Sequence, residues 1–303
     1  MDGILNINKP QGKTSFSIVA LVRRLSGERR VGHAGTLDPI ATGVLPVCLG
    51  QGTRIIEFLV NTAKTYRTEI ELGTSTDTYD ASGRITAKRD PSGISLKQLE
   101  STLASFHGLI WQTPPMYSAI KHRGKPLYQL ARAGINIERQ SRQIKIHNLK
   151  LIQWQPPVAT IEIECSKGTY IRSLAHDLGE AMGCGANLKS LVRLRCGPFD
   201  IRDSVSIPQL ECAFRHGYWH NFAYPIDFVL SHWSAIVVSN DTEDAVRSGR
   251  PLVMKNNDSV PLSSIDNRCR VYTCDGQFLA VARFDPERGQ WQPDKVFVPG
   301  RSR

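Results

Sequence analysis

Two hydrophobic periods alternate along the first half of the chain. Ile4 to Asn8 predicts a strand ending at Lys9-Pro10. Thr14 or Ser15 can cap a following helix whose apolar residues Phe16, Val19, Val22 and Leu25 fall on one side, with Gly27 just past its end. Val44 to Leu49 is a short apolar run interrupted by Pro46, which predicts an edge strand or a bulge. From Tyr66 to Leu72 the alternation places Tyr66, Thr68, Ile70 and Leu72 on one face, so Tyr66 faces the core. Ser95 and Gln98 form a capping-box pattern, and Leu96, Leu99, Leu103 and Phe106 continue a helical stripe to Gly108.

Residues 111–145 interrupt this order, with Pro114, Pro115, Gly124, Pro126 and Gly134 set among Lys121, His122, Arg123, Lys125, Arg132, Arg139, Arg142 and Lys145. They predict a basic excursion from the core. Strands are predicted at Ile144 to Ile152 and Val158 to Cys165, and a helix from Tyr170 to Met182 closed by Gly183. Asn187 to Leu194 predicts a short helix, after which the residues to Phe199 return to the sheet, and Ser206 to Phe214 predicts one more helix. Residues 215–233 are rich in His and aromatics without a period and mark a domain boundary. Short β-type runs follow at Ala235 to Ser239, Arg270 to Cys274, Phe278 to Phe284 and Val296 to Pro299, which predicts a small β-rich module.

The 303 residues, 41% hydrophobic and 22% charged, can bury a large domain plus a smaller one and exclude a disordered or low-complexity chain. No apolar run approaches the roughly 18 residues of a membrane span, and the N-terminus lacks a signal pattern, so the expected location is the cytoplasm, with no membrane partner. Seven cysteines without a Cys-x-x-Cys pair predict reduced, mostly buried thiols rather than a disulfide framework or zinc site. The net charge of +10 is unevenly placed: residues 1–150 hold 21 basic and 11 acidic side chains, while the remainder holds 17 of each. Such a surface steers a polyanion such as nucleic acid.

Gly12-Lys13-Thr14 imitates the end of a phosphate-binding loop, but Ile7 stands where the leading glycine belongs, so no nucleoside triphosphate site is expected. Gly50-Gln51-Gly52 is too short a signal, and Cys269 and Cys274 have no companion at metal spacing, so they read as structural and no metal site is expected there. The densest loop signal is Gly32 to Gly43, with three glycines around one carboxylate, Asp38. Glycine lets backbone approach a ligand closely, although Asp38-Pro39 is also an ordinary turn dipeptide. A second segment, Cys165 to Leu174, puts Lys167, Tyr170 and Arg172 at a strand-to-helix junction that can bind phosphate or pair with a carboxylate.

Taken together, these motifs resemble the TruB family of tRNA pseudouridine synthases over approximately residues 1–205. The resemblance rests on Asn8-Lys9-Pro10; Gly32-His33-Ala34-Gly35-Thr36-Leu37-Asp38-Pro39-x-Ala41-Thr42-Gly43; Lys64-Thr65-Tyr66; Thr76-Asp77 and Asp80; Pro115 to Ala119; Ser166 to Arg172; and Leu191-Val192-Arg193-Leu194. Relatives often carry Thr where Ala34 stands. The resemblance implies an α+β fold, a pseudouridine-synthase-like core with a mixed, largely antiparallel β-sheet flanked by helices. Residues 1–215 would be the catalytic domain, with a thumb-like insertion at about 114–145 that grips the tRNA T-arm. Residues 230–303 would form the small β-rich module, at most similar to the PUA-type RNA-binding domain with which the family commonly ends.

By position, the resemblance makes Asp38 the nucleophile and Arg172 its partner, a neighbouring guanidinium being able to lower a carboxyl pKa by ~1–3 units. Tyr66 would pack on the uracil and assist proton transfer at C5, Tyr170 and Leu191 would shape the pocket, and His33 would fill the space the target base vacates. Lys9 and Arg193 join the substrate-binding set. The implied activity is the cofactor-free isomerisation of uridine to pseudouridine at position 55 in the tRNA T-loop, by base flipping and attack of Asp38 at C1′ or C6, in a monomeric enzyme. Two other classes stand beside it: an RNA-binding protein without catalysis, and a glycoside hydrolase. The latter needs a second carboxylate ~5–9.5 Å from Asp38, and Asp77 and Asp80 read instead as turn residues.

Overall fold

A computed structural model describes residues 1–252 and 267–297. In chain order, β1 (Gly3–Lys9) leads to α1 (Ser15–Ser26), β2 (Val31–His33), β3 (Thr42–Leu49), α2 (Ile56–Asn61) and β4 (Lys64–Leu72). A small hairpin of β5 (Thr74–Thr76) and β6 (Ile85–Lys88) precedes α3 (Leu96–Ala104) and β7 (Gly108–Gln112). The excursion holds β8 (Lys121–His122), β9 (Lys125–Pro126) and α4 (Leu127–Arg132) before β10 (Arg142–Gln155) resumes the core. Then come β11 (Val158–Cys165), α5 (Ile171–Ala181), β12 (Ala186–Cys196), β13 (Phe199–Asp200), α6 (Ile207–Arg215) and β14 (Ala223–Tyr224). The last part is β15 (Ser234–Val237), α7 (Asn240–Arg247), β16 (Arg268–Tyr272), β17 (Phe278–Asp285) and β18 (Gln290–Val296).

Ten strands form one mixed sheet in the order β14-β1-β3-β12-β4-β11-β10-β7, with β2 joined to β3 and β13 to β12. Its pairs are antiparallel except β3 with β12, as expected for a largely antiparallel α+β core. β1 and β3 are buried on both sides because both of their faces are covered, whereas β4 alternates, with Arg67, Glu69 and Glu71 on its outer face. Leu5, Ile7, Leu45 and Val47 join a core with Ile18, Val19 and Val22 of α1, Leu99 of α3 and Leu174 of α5. Ile4, Val44 and Cys48 point the other way, into a second core shared with Phe58, Trp233, Val281 and Phe297. The small four-stranded sheet, β15-β16-β17-β18, therefore packs against the main one through common apolar side chains.

Local signals behave as the chain dictates. Thr14 accepts from the Ser17 N–H at 3.0 Å and Gly27 closes α1 in the left-handed region at φ 68°. The buried stripe is nevertheless rotated from the one expected: Ser15, Ile18, Val19 and Val22 face inward, and Phe16 is 69% exposed, because the Ser15 hydroxyl is fastened to Leu37. Likewise Leu96 lies outward on α3, whose buried residues are Leu99 and Leu103.

Three other expectations are corrected. Asn187 to Leu194 is not a helix but most of β12, in the middle of the sheet. Register shifts after Leu188 and Arg193 break its alternation, so the buried Leu188 and Leu191 stand at helical spacing. Pro46 lies in an interior strand, β3, rather than at an edge. Its carbonyl accepts from the Ala34 N–H on the side where the neighbour changes from β12, at Thr42 and Gly43, to β2, at Val47 to Leu49, so the missing N–H costs no ladder bond. The last strand ends at Val296, earlier than expected; positions 298 and 299 of the expected run lie outside the described residues.

Gly43 permits the parallel crossing that sets Asp38 beside the sheet. Its φ is +96°, and a Cβ there would stand 2.3 Å from the Arg193 carbonyl oxygen. Gly43→Ala is therefore expected to destabilise the protein by about 3 kcal/mol, as overpacking of a rigid backbone does. Thermal unfolding checks this, and an unchanged midpoint contradicts so close a crossing.

Candidate active site

Asp38 sits in the loop between β2 and β3, and the loop is held by hydrogen bonds on either side of it. The Ser15 hydroxyl donates to the Leu37 carbonyl at 3.1 Å and accepts from the Leu37 N–H at 2.8 Å. After Asp38, the Pro39 carbonyl accepts from the Gly12 N–H at 2.8 Å, and the Ala41 N–H donates to the Asp38 carbonyl at 3.1 Å. Arg193, 1% exposed, reaches across from β12 to donate from Nε to the Val44 carbonyl and from Nη2 to the Gly35 carbonyl. The loop backbone is thus fixed while the Asp38 side chain stays one-third exposed.

Asp38 Oδ2 lies 2.8 Å from Nε of Arg172, which is 5% exposed in the first turn of α5. The other nitrogens of that guanidinium are also engaged. Nη1 donates to the Thr78 carbonyl at 3.2 Å and lies 3.5 Å from Asp80 Oδ2, and Nη2 donates to the Tyr117 carbonyl at 2.8 Å. Asp80, 4% exposed, is in turn oriented by the Thr78 hydroxyl and by the N–H and hydroxyl of Ser82. One buried cation therefore serves two carboxylates, by ion pairs through Nε and Nη1, while Nη1 and Nη2 also donate to backbone carbonyls.

Burial pushes the Asp38 carboxyl above the usual carboxylate range, Arg172 pulls it back, and the Asp80 charge adds to the rise. The expected lowering by the guanidinium is thus present as one contribution, but desolvation outweighs it. Lys9 ends β1 with its ammonium buried, donating to the Pro10 and Lys13 carbonyls at 3.0 and 2.6 Å; burial lowers it to about 8, Asp38 opposing. Tyr66 of β4 stands opposite Arg193 of β12, 9% exposed, and burial drives its phenol up to about 12. Tyr170 leads into α5, its phenol raised by burial and sensing both Asp38 and Arg172. Burial lowers the His33 imidazole, which is neutral beside Arg193, and its Nδ1 is buried without a hydrogen-bond partner.

Asp38, Arg172, Lys9, Arg193, Tyr66, Tyr170 and His33 are all brought to one neighbourhood by contact, pairing or electrostatic reach. Leu191 lies two positions before Arg193 on the same face of β12, opposite Thr68, and is buried in the core. The sequence reading assigned no site role to three supporting residues. Asp80 belongs to a turn, and only its depth distinguishes it from Asp77. Lys64 caps α2 by donating to the carbonyls of Leu59, Val60 and Thr62 at 3.1, 2.7 and 2.6 Å, a cation at a helix C-terminus. Gln112 clamps the Tyr170 backbone. The Lys64-Thr65-Tyr66 motif carried a signal for the second, since alternation puts Lys64 on the buried face with Tyr66. Among the described residues, no three His, Cys, Asp or Glu side chains gather as metal ligands would.

Removing the Asp80 charge takes away one influence that raises Asp38. In Asp80→Asn the Asp38 carboxyl is expected to titrate at lower pH than in the parent, which a ¹³C NMR titration of aspartate carboxyls measures. An Asp38 titration unmoved or raised contradicts the shared guanidinium.

Known proteins carry the same arrangement of sequence and fold. Residues 23–171 match the N-terminal domain of the TruB family pseudouridylate synthases, and residues 172–228 match the tRNA pseudouridylate synthase B C-terminal domain. Proteins named tRNA pseudouridine synthase B are similar along nearly the whole length. That of Dehalococcoides mccartyi is 46% identical over 300 residues, covering 98% of this chain and 97% of that protein. That of Pelotomaculum thermopropionicum is 41% identical over 314 residues, covering 100% and 99%. That of Coxiella burnetii is 37% identical over 291 residues, covering 95% and 94%. In fold, the chain is similar to a chain of the crystal structure of a Cbf5-Nop10-Gar1 complex, with TM-score 0.73 at 23% identity over 98% of this chain and 85% of that one. With identities well above 30% across almost the full length, the chain belongs to the TruB family of pseudouridine synthases.

Proposed function

We propose that this enzyme, whose family carries out uridine-to-pseudouridine isomerisation in tRNA, acts on the T-loop uridine at position 55 and does so with Asp38 as its attacking group. The observation that supports this most strongly is the pairing of a partly exposed carboxylate with a buried guanidinium at 2.8 Å. A nucleophile must be ionised, accessible and fixed. Arg172 serves the first need, the one-third exposure of Asp38 the second, and the hydrogen-bonded loop the third.

The reaction breaks the bond from ribose C1′ to N1 of uracil and makes one from C1′ to C5. N1 gains a proton, C5 loses one, and no electrons are exchanged, so neither redox cofactor nor metal is called for. Attack of Asp38 at C1′ or at C6 divides the exchange into two covalent steps. Tyr66, a neutral phenol throughout the physiological range, offers its ring face and its O–H to the uracil and relays the C5 proton rather than holding it as a resting base. Tyr170 and Leu191 shape the pocket, His33 fills the gap left by the flipped base, and Lys9 and Arg193 keep the pocket floor positive for RNA.

The insertion between β7 and β10 exposes Lys121, Arg123, Lys125 and Arg132, with Arg142 exposed at the start of β10, a surface suited to the phosphates of the T-arm. We read residues 1–215 as the catalytic domain and 230–303 as a PUA-like module, acting together as a cytoplasmic monomer. No helix among the described residues is long and apolar enough to cross a membrane.

The test is to incubate the protein, and Asp38→Ala beside it, with an unmodified tRNA transcript without cofactor and to map pseudouridine base by base. One new pseudouridine at the T-loop uridine is expected with the parent alone, while Asp38→Ala still binds the transcript. Tight tRNA binding without pseudouridine, or turnover by Asp38→Ala, overturns the proposal.

A further inference from the structure

Gln112 is the last residue of β7, immediately before the basic insertion, and is 1% exposed. Its carboxamide pairs with both backbone groups of one residue, Tyr170, as one strand pairs with another. Oε1 accepts from the Tyr170 N–H at 2.8 Å, and Nε2 donates to the Tyr170 carbonyl at 3.1 Å. Two bonds from one planar group fix both the place and the rotation of that backbone. Tyr170 is the residue from which α5 starts, and no side chain of its own caps the helix.

Further links join the same two segments. The Thr113 carbonyl accepts from the Ser173 hydroxyl at 2.9 Å, and the Tyr117 carbonyl accepts from Arg172 Nη2 at 2.8 Å. The legs of the insertion are closed at their base by the Thr113 and Ser141 hydroxyls, 2.8 Å apart, and by Arg139 Nη1 donating to the Pro114 carbonyl at 3.0 Å. Residues 170–173 are thus fastened to the root of the insertion, and the same turn carries the guanidinium whose Nε meets Asp38.

We infer that Gln112 is a positioning residue that, from the root of the insertion, sets Tyr170 and Arg172 against Asp38. The inference rests on the reaction proposed above. Both side-chain bonds of Gln112 go to the Tyr170 backbone, so it acts through the residue it clamps. Aligning reacting groups is sensitive to small displacements, and a misplacement of about 1 Å can cost on the order of 100-fold in rate.

Two substitutions separate this role from plain support of the fold. Gln112→Met fills the same space without hydrogen bonds, and Gln112→Glu keeps an acceptor for the Tyr170 N–H but no donor for its carbonyl. Pseudouridine formation is followed in single turnovers at saturating tRNA transcript, with tRNA affinity and thermal unfolding measured on the same samples. Gln112→Met is expected to lose on the order of 100-fold in the single-turnover rate while tRNA affinity stays within a few-fold of the parent. Gln112→Glu is expected to lie between the two. Where Gln112→Met fails to fold, the reduced rate of a folded Gln112→Glu at parental affinity carries the result. Rates equal to the parent in the folded variants, or a loss confined to tRNA affinity, overturn the inference. A parent that makes no pseudouridine overturns the proposed reaction instead.

Discussion

The Arg172 guanidinium is the constraint on which the site depends. It is almost fully buried, and its donors meet groups from three separate parts of the chain: Asp38, the Thr78 to Asp80 turn, and the Tyr117 carbonyl at the base of the insertion. A buried cation is tolerated only when it is well paired, and removing one partner of such a pair typically costs about 3–5 kcal/mol. The convergence of these segments is therefore enforced by the cost of leaving any of them out. That the pair is held by loops, while the helix carrying Arg172 is anchored in the core by Ile171, Leu174 and Leu178, lets one end be rigid and the other reach solvent.

The surrounding charges follow the same logic. Lys9, Lys64 and Arg193 are each buried and each donate to backbone carbonyls, so their charges are held by the backbone rather than by an ion pair with Asp38. Lys64 joins α2 to the start of β4, and Phe58 of α2 packs with Trp233, Val281 and Phe297 of the small sheet's side. The start of β4 is in this way continuous with the packing of the C-terminal module.

Much of this was legible in the chain. Strict alternation from Tyr66 to Leu72 fixed the face of β4, Thr14 and Gly27 bounded α1, and the glycine-rich loop pointed to Asp38. What escaped has physical causes. Two register shifts gave β12 the spacing of a helix, and Pro46 was masked as an interior residue because its bare nitrogen faces a gap between neighbours. α7 has one buried residue, Val246, and so no apolar stripe to read. Asp80 and Gln112 act through depth and through partners more than 50 residues away, which no local pattern encodes.

The pH dependence of single-turnover pseudouridine formation, in the parent and in Arg172→Gln, tests most directly whether Arg172 keeps the partly exposed carboxylate proposed as the attacking group ionised and in place. Burial raises the Asp38 carboxyl and the guanidinium opposes that rise, so without it Asp38 takes up its proton at higher pH. With Asp38 as the proposed attacking group, the rate requires the ionised form and is lost as pH falls through that titration. The acid limb is therefore expected to move to higher pH in Arg172→Gln, with the plateau lower by about 100-fold or more. An acid limb in the same place, or a plateau equal to the parent's, contradicts the account.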